Sequence, residues 1–546
     1  MKRILIFAAT YNEADNIKKL TKGIFANLPQ ADLLVIDDNS PDGTGKILDE
    51  IISKNIQVRV IHRPNKLGLG SAHRLAMKYA VTNKYDLLIT MDSDLSHNPE
   101  YIPKIIELLD KNDFVTGSRY VKGGRSDYSV YRKIISHTAN ILARILLGIP
   151  LQECTTSFRG FRTELLDNLN IDAIRSDGYS FFFESIFYVT RLTKRYCEFP
   201  IYFENRASGI SKISKTEIIK SIVNLIRLFV LRWSFDKKRI IKPEGASTTS
   251  VSPCINCGSL FASLIYPKTF SKNKGTGSYN CTSMTHGSHG NIVKCLQCGL
   301  VRTDPLPDEK GLLDNYSNIN ETLYADNIGY RFKTFRYNLN KIASYLPKNG
   351  TLLDVGANCG AFLKIASEAG YTAQGVEPSG WCTDYARQKL GQKVTKGTVS
   401  DLDPSEKEFD VVTMFDVLEH LLNPINDLEL VNKRMKKGGM LILSTLDIDS
   451  ILPKILGGKW PWLMDMHIYY FNSQIIEQIL QKTGFKVVYS RGYTHIINLD
   501  YLLLKLENMS IWGAGNIGKF LRMVRINRIQ LPISFGDIKL FVAKKL

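Results

Sequence analysis

The chain lacks any apolar run near the roughly 20 residues that a membrane-spanning helix needs, and Met1-Lys2-Arg3 leads straight into a short apolar strand rather than a signal peptide. A cytoplasmic protein is the expectation. Acid is scarce as well. Its 53 Asp and Glu stand against 71 Lys and Arg, a formal charge of +18. Such a surplus suits nucleic acid, an anionic membrane surface or phosphorylated small molecules. No signature of a nucleic-acid-binding fold accompanies it, so no nucleic-acid partner is expected. Cysteine is sparse at nine, yet four fall in two CxxC pairs, Cys254/Cys257 and Cys295/Cys298. In a cytosolic chain that spacing favours a metal over disulfides. There is no internal repeat.

At 546 residues the chain exceeds one ordinary core. Residues 1–235 alternate apolar strands, expected at Ile4–Ala8, Leu33–Ile36, Val58–Ile61 and Leu87–Met91, with amphipathic helices, the pattern of a parallel α/β sheet. A basic, then Gly/Ser/Thr/Pro-rich stretch over 236–253 reads as a linker. The CxxC pairs mark a module at 254–316, and a second α/β alternation fills 317–546.

Thr10-Tyr11-Asn12-Glu13 follows the first strand, where an open α/β sheet binds ligands. The second strand ends in Asp37-Asp38-Asn39-Ser40-Pro41-Asp42-Gly43-Thr44, which reads either as carboxylates for a base or ribose or as plain turn chemistry. Asp92-Ser93-Asp94 follows the fourth strand, Leu87–Met91. Two carboxylates at that spacing suit a hard cation, Mg or Mn, bridging a diphosphate, although an isolated DxD reads as a solvated loop.

The strings TYNE, VIDDNSPDGTG, RPNKLGLGSA, MDSDLSH and TGSRYVKGG occur in that order. Together they resemble family-2 glycosyltransferases of the dolichol-phosphate mannose synthase type over residues 3–233. Tyr131-Arg132-Lys133, Thr156-Ser157-Phe158-Arg159, Gly178-Tyr179 with Glu184, and Arg206 with Gly209-Ile210-Ser211-Lys212 extend the likeness. The resemblance implies a GT-A fold and an inverting transfer from a nucleotide-sugar, most plausibly GDP-mannose, to a polyprenyl phosphate. It implies that Thr10, Tyr11, Asn12, Glu13, Asp37, Asp38 and Asp92 bind the donor, and that Asp92 and Asp94 hold Mg or Mn. Arg119, Arg132 and Arg206 would clamp the acceptor phosphate, since guanidinium forks match its oxygens. Ser96 stands where relatives often carry Gln, which alters the expected coordination. The stretch Ile218–Trp233 reads either as a packed helix or as an amphipathic anchor at the cytoplasmic face of a membrane.

Each CxxCG places two thiolates on a tight turn, and two such knuckles complete a structural Cys₄ zinc site. Thr351-Leu352-Leu353-Asp354-Val355-Gly356-Ala357-Asn358-Cys359-Gly360 is a strand entering a Gly-rich turn, and Glu377 ends the next strand. That pattern alone also fits a dinucleotide site. With Asp416-Val417-Leu418-Glu419-His420 and Lys437-Gly438-Gly439 it resembles class I methyltransferases carrying an N-terminal zinc-binding domain, several of which act on sugars. The resemblance implies a Rossmann-like fold in which Asp354, Gly356, Gly360, Glu377 and Asp401 bind S-adenosylmethionine. His420 and His467 are candidates for substrate contact or general base, or are structural. Gly513-Ala-Gly515-Asn-Ile-Gly518 reads as a chance GxGxxG. The expected protein is thus bifunctional, a hexosyltransferase to lipid phosphate joined to a methyltransferase of sugar or glycolipid. The alternatives are a glucosyl or N-acetylhexosaminyl donor, or a scaffold with one half inactive.

Overall fold

Strands covered by helices on both faces must be apolar throughout, and four such runs lead the chain. In a computed structural model, which describes residues 2–204, 215–233, 240–242, 249–269, 288–403, 408–498 and 530–546, they are β1 (Ile4–Thr10), β2 (Asp32–Asp37), β3 (Val58–His62) and β4 (Leu87–Asp92). All four expected strands form, each running on to a polar residue at its end. β5 (Phe114–Ser118), β7 (Arg159–Arg162) and β8 (Tyr196–Pro200) complete a sheet of order β3-β2-β1-β4-β7-β5-β8, while β6 (Arg125–Ser126) and β9 (Tyr202–Phe203) pair separately. β7 runs antiparallel to both β4 and β5. Alternation splits the side chains between two cores: Leu5, Phe7, Leu34 and Ile36 face one, Ile4, Ile6, Ala8 and Val35 the other.

Packing divides the chain into two units, Met1–Ile265 with Lys294–Gly299, and Tyr266–Val293 with Leu300–Leu546. All four CxxC cysteines therefore lie in the first unit, although their sequence grouping was with the second half. Leu296, between Cys295 and Cys298, is 2% exposed and belongs to the same core as Leu5 and Phe7. Phe261 packs on that core with its ring 5.9 Å from Tyr79, and Lys78 Nζ donates to the Ala262 carbonyl at 2.6 Å. The short strands β10 (Ala262–Tyr266) and β11 (Asn291–Cys295) connect the first knuckle to the second.

Two helices of the first unit, Val130–Leu147 and Lys215–Trp233, are only half covered. Leu228, Asn224, Ala143 and Leu147 face inward. Arg232 Nη1 donates to the carbonyls of Ile145 and Leu146 at 2.9 and 3.0 Å, joining the pair. Arg227 pairs with the fully buried Glu184 and pins the second helix to the helix Phe181–Leu192.

In the second unit β12 (Val301–Asp304) pairs with β18 (Tyr469–Tyr470). The main sheet holds β13 (Gly350–Val355), β14 (Tyr371–Glu377), β15 (Val394–Lys396), β16 (Phe409–Phe415), β17 (Met435–Leu446), β19 (Phe485–Gly492) and β22 (Ile538–Lys545), in the order β15-β14-β13-β16-β17-β22-β19. It is parallel except for β22, which is antiparallel to both neighbours. β20 (His495–Asn498) and β21 (Gln530–Ile533) form a separate pair. Arg206 and the Gly513–Gly518 motif lie outside the described residues, as does the side chain of Arg132.

Because Leu296 fills the first unit's core, Leu296→Ala should lower that unit's stability by about 2–5 kcal/mol. Calorimetry should show one unfolding transition shifted and the other unmoved. A shift confined to the second unit would contradict the packing.

Candidate active sites

Polar residues in the first sheet gather where β1, β2 and β4 end. Thr10 Oγ1 donates to Asp37 Oδ1 at 2.9 Å, and Ser40 donates its N–H (3.1 Å) and hydroxyl (2.6 Å) to the same carboxylate. Asn12, with φ 58°, donates its N–H to Ser40 Oγ at 2.9 Å, and the Glu13 N–H reaches Thr44 Oγ1 at 2.9 Å. The two loops named from sequence are thus one constellation. Tyr11 carries Lys66 Nζ 4.1 Å above its ring. Asp38 turns away to the buried guanidinium of Arg63, and burial raises its carboxyl despite that partner.

Asp92 Oδ1 accepts the Ser157 hydroxyl at 2.5 Å. Its N–H donates to His97 Nδ1 at 3.0 Å, so that nitrogen is unprotonated and Nε2, 3.2 Å from Thr156 Oγ1, carries the hydrogen. His97 is fully buried, its ring 4.9 Å from Phe158, and burial lowers its pKa. It is a neutral strut under the loop. Leu95, at φ 65°, turns the chain so that Asp94 Oδ1 accepts the Ser96 N–H at 3.1 Å. Ser96 Oγ is buried with no hydrogen-bond partner among the described residues. An orphaned hydroxyl beside two carboxylates fits an oxygen-seeking cation.

Arg119, just past β5, does not stand open. Its Nε and Nη2 form a fork on Glu153 at 2.8 and 2.9 Å, and Nη2 also reaches Thr155 Oγ1 at 3.0 Å. The rings of Tyr120, Tyr128 and Phe203 lie within 5.0–5.5 Å. Burial opposes both charges, but the pair overcomes it: the Arg119 pKa is pushed up and the Glu153 pKa down. Arg119 Nη1 makes no hydrogen bond among the described residues.

The knuckles bring Cys254 Sγ to 3.5 Å from Cys298 Sγ, and Cys257 Sγ to 3.6 Å from Cys295 Sγ. A tetrahedron of ~2.3 Å zinc–sulfur bonds has an edge of about 3.8 Å, so the donors fit zinc. Gly258 (φ 72°) and Gly299 (φ 86°) close the turns, each returning its N–H to the carbonyl of the first cysteine of its knuckle.

In the second unit the ends of β13, β14 and β16 form the site. Thr413 Oγ1 donates to the buried Asp354 at 2.6 Å, and burial pushes that carboxyl up to about 7. Glu377 accepts the N–H groups of Asn358 and Ser379, both at 2.9 Å, and burial pushes it up to about 7. Gly356 lies at φ 71°, and a Cβ there would come 2.6 Å from Val417 Cγ2. Gly360 is equally intolerant, its Cβ meeting Ala386 Cβ at 2.9 Å. Asp401 is exposed beyond β15, its Oδ2 closing a capping box with the Thr398 N–H (2.7 Å) and Oγ1 (2.8 Å).

His420 and His467 come together, ring centroids 4.8 Å apart. His420 Nδ1 lies 3.0 Å from the Met466 carbonyl and 2.8 Å from the Tyr316 hydroxyl, and His467 Nδ1 lies 2.7 Å from the Trp462 carbonyl. Carbonyls only accept, so each Nδ1 carries the proton and each Nε2 a lone pair. Burial pushes the two rings down to about 4 and about 3, keeping both neutral. Glu153, His97, Ser157, Arg63 and Tyr316 were not singled out from sequence. Ser157, His97 and Arg63 lay within quoted motifs without a role of their own, and nothing in spacing links Glu153 or Tyr316 to their partners.

The family described as glycosyl transferase family 2 matches residues 6–169, and that described as methyltransferase domain matches 328–490. The chain is 37% identical over 240 residues to an undecaprenyl-phosphate mannosyltransferase of Micrococcus luteus, covering 44% of this chain and 99% of that protein. It is 33% identical over 241 residues to a polyprenol monophosphomannose synthase of Mycolicibacterium smegmatis, covering 44% and 91%. Among solved structures, a SAM-dependent methyltransferase from Archaeoglobus fulgidus is 18% identical, covers 41% of this chain and all of its own, and gives a TM-score of 0.29.

Glu153→Gln would leave the buried Arg119 without a counter-ion. Breaking such a pair costs about 3–5 kcal/mol, to be read by denaturant unfolding of the first unit. A change below about 1 kcal/mol, the scale of an exposed pair, would show that solvent reaches the site.

Proposed function

We propose, from the premise that the first half of this chain belongs to glycosyl transferase family 2, that it transfers mannose from GDP-mannose to a polyprenyl phosphate. The observation that carries the reading is Asp92 and Asp94 at the end of β4 with the orphaned Ser96 hydroxyl just beyond them in sequence, in a chain whose relatives are named as an undecaprenyl-phosphate mannosyltransferase and a polyprenol monophosphomannose synthase. Those three residues would hold Mg or Mn, which offsets charge on the departing nucleotide diphosphate. The loops at Thr10–Glu13 and Asp37–Asp38 hold the nucleotide. A phosphate monoester has its second pKa near ~6, so the acceptor oxygen is nucleophilic at neutral pH without a strong base. What remains is to hold two anions together. Glu153 positions Arg119 so that Nη1 meets the acceptor phosphate, with Arg132 and Arg206 as further clamps.

The acceptor's lipid implies a membrane surface. Trp233 (78% exposed), Ile219 (62%) and Val230 (60%) on one helix, and Val130 (75%), Ile145 (69%) and Ile134 (60%) on its neighbour, are apolar side chains left uncovered. No helix among the described residues is long and apolar enough to cross a membrane. The pair therefore suits attachment in the plane of the cytoplasmic face. The four cysteines would hold a structural zinc, with no coordination position left open.

The second half carries the methyltransferase domain. S-adenosylmethionine fits the Gly356–Gly360 turn, with Asp354 and Glu377 as hydroxyl and charge acceptors and Asp401 near the adenine; when bound it supplies the methyl group. His420 and His467 would meet the acceptor, a sugar or glycolipid, through unprotonated Nε2.

With undecaprenyl phosphate and a panel of nucleotide-sugars, GDP-mannose should give mannosyl-phosphoryl lipid. Asp92→Asn and Asp94→Asn should each lose about 10²-fold or more in rate, with unfolding transitions unchanged. Full activity of both variants in excess chelator would remove the metal assignment.

The pKa values near 7 add a test of the cofactor site. A sulfonium favours ionised carboxylates, so S-adenosylmethionine affinity should rise several-fold between about pH 6 and about pH 8 as Asp354 and Glu377 lose their protons. Calorimetry should show a smaller slope in Glu377→Gln. A flat profile in the wild type would mean that neither group titrates at the bound cofactor.

A further inference from the structure

We propose that Glu419, His420 and His467 form a second metal site, for a divalent cation of the zinc class, with an open position toward the methyl acceptor. It deepens the assignment of the two histidines to the acceptor and rests on that reading. Each residue offers one ligand atom, and the three atoms lie within 4.8 Å of one another. Two imidazoles and a carboxylate are the donor set of many catalytic zinc sites, where three protein ligands leave the fourth position free. This set is distinct from the four cysteines, which would saturate an ion of their own.

The surrounding bonds orient the donors. Each imidazole engages its Nδ1–H with a backbone carbonyl, Met466 for His420 and Trp462 for His467, and this leaves Nε2 as the available ligand atom. Such outer-shell carbonyls set the tautomer and ring angle of ligating histidines. Tyr316 adds a further partner to His420 Nδ1. Thr445 Oγ1 donates to Glu419 Oε2 at 2.8 Å and steadies the carboxylate. The two contributing segments are tied together, because the Ile468 N–H donates to the Glu419 carbonyl at 2.8 Å. Metal–ligand bonds of ~2.0–2.1 Å set donor separations of about 3.3 Å, so small side-chain rotations would close the cluster on an ion. An acceptor hydroxyl on the open position would become more acidic, which leaves the histidines as ligands rather than free bases.

The test is a cobalt titration of the full-length protein, with zinc first restored to the cysteine site. About one further equivalent of Co²⁺ should bind with visible ligand-field bands and no thiolate charge-transfer band. Binding should fall at least tenfold in His467→Gln and in Glu419→Gln, with S-adenosylmethionine binding by calorimetry confirming that each variant is folded. Absence of the extra equivalent, or its persistence undiminished in both variants, overturns the metal site. The acceptor reading is followed separately, as S-adenosylhomocysteine release with glycolipid made in situ from GDP-mannose and undecaprenyl phosphate. Cobalt lost in His467→Gln while that release continues unchanged would uphold the metal and remove the acceptor role.

Discussion

A parallel strand with helices on both faces keeps its charged side chains at or next to its end, because deeper in the strand a polar group is buried and must find a partner in the core. Both units are built under that constraint. Thr10, Asp37 and Asp92 end three neighbouring strands of the first sheet, and Glu377 ends a strand of the second. The chain puts its chemistry at these ends because the apolar faces exclude it elsewhere, and crossover connections return every parallel strand in the same direction. The donor, cation and cofactor sites proposed for the two units all lie at or just past such ends.

Once polar groups are confined to a half-buried edge, they need partners, and the partners make the sites rigid. Asp38 is satisfied by Arg63, Arg119 by Glu153 and Asp92 by Ser157, all distant in the chain, with His97 from the next turn beneath Asp92. An ion pair so buried gives little net stability, yet loss of one member is costly. Arg119 is accordingly held in one orientation, and rigid placement is what a site must have when it brings two anionic substrates together. The second unit uses neutral groups for the same end. The half-buried His420 and the buried His467 are fixed by carbonyls, and Glu419 by Thr445.

The first unit departs from full coverage in one region. Helices Val130–Leu147 and Lys215–Trp233 bury one face each and leave apolar residues of the other exposed. Isolated exposed apolar residues are ordinary, but two adjoining helices with such faces form a patch that water penalises. The substrate proposed for this unit has a hydrocarbon tail, so the patch and the chemistry call for the same surroundings. The cysteine knuckles belong with this unit through Leu296 and Phe261, which gives them a part in its core.

Order and spacing of residues alone determined the two α/β halves, the four leading strands, the Asp92–Asp94 pair, the Gly-rich turn and the paired knuckles. Each of these rests on neighbours along the chain: a strand has its apolar run, a knuckle its two-residue spacing, a phosphate or cofactor turn its glycines. Tertiary structure decided the rest. Glu153 reaches Arg119 across 34 residues, and Tyr316 reaches His420 across 104; no periodicity marks such partners. Arg119, expected as a clamp for the acceptor phosphate, is paired with Glu153, and cysteines adjacent in sequence to the second unit pack into the first. The physical reason is the same in each instance. Covalent proximity writes local structure into the sequence, whereas a buried polar group takes whichever partner the closed fold brings within 3 Å, and only the fold determines which residue that is.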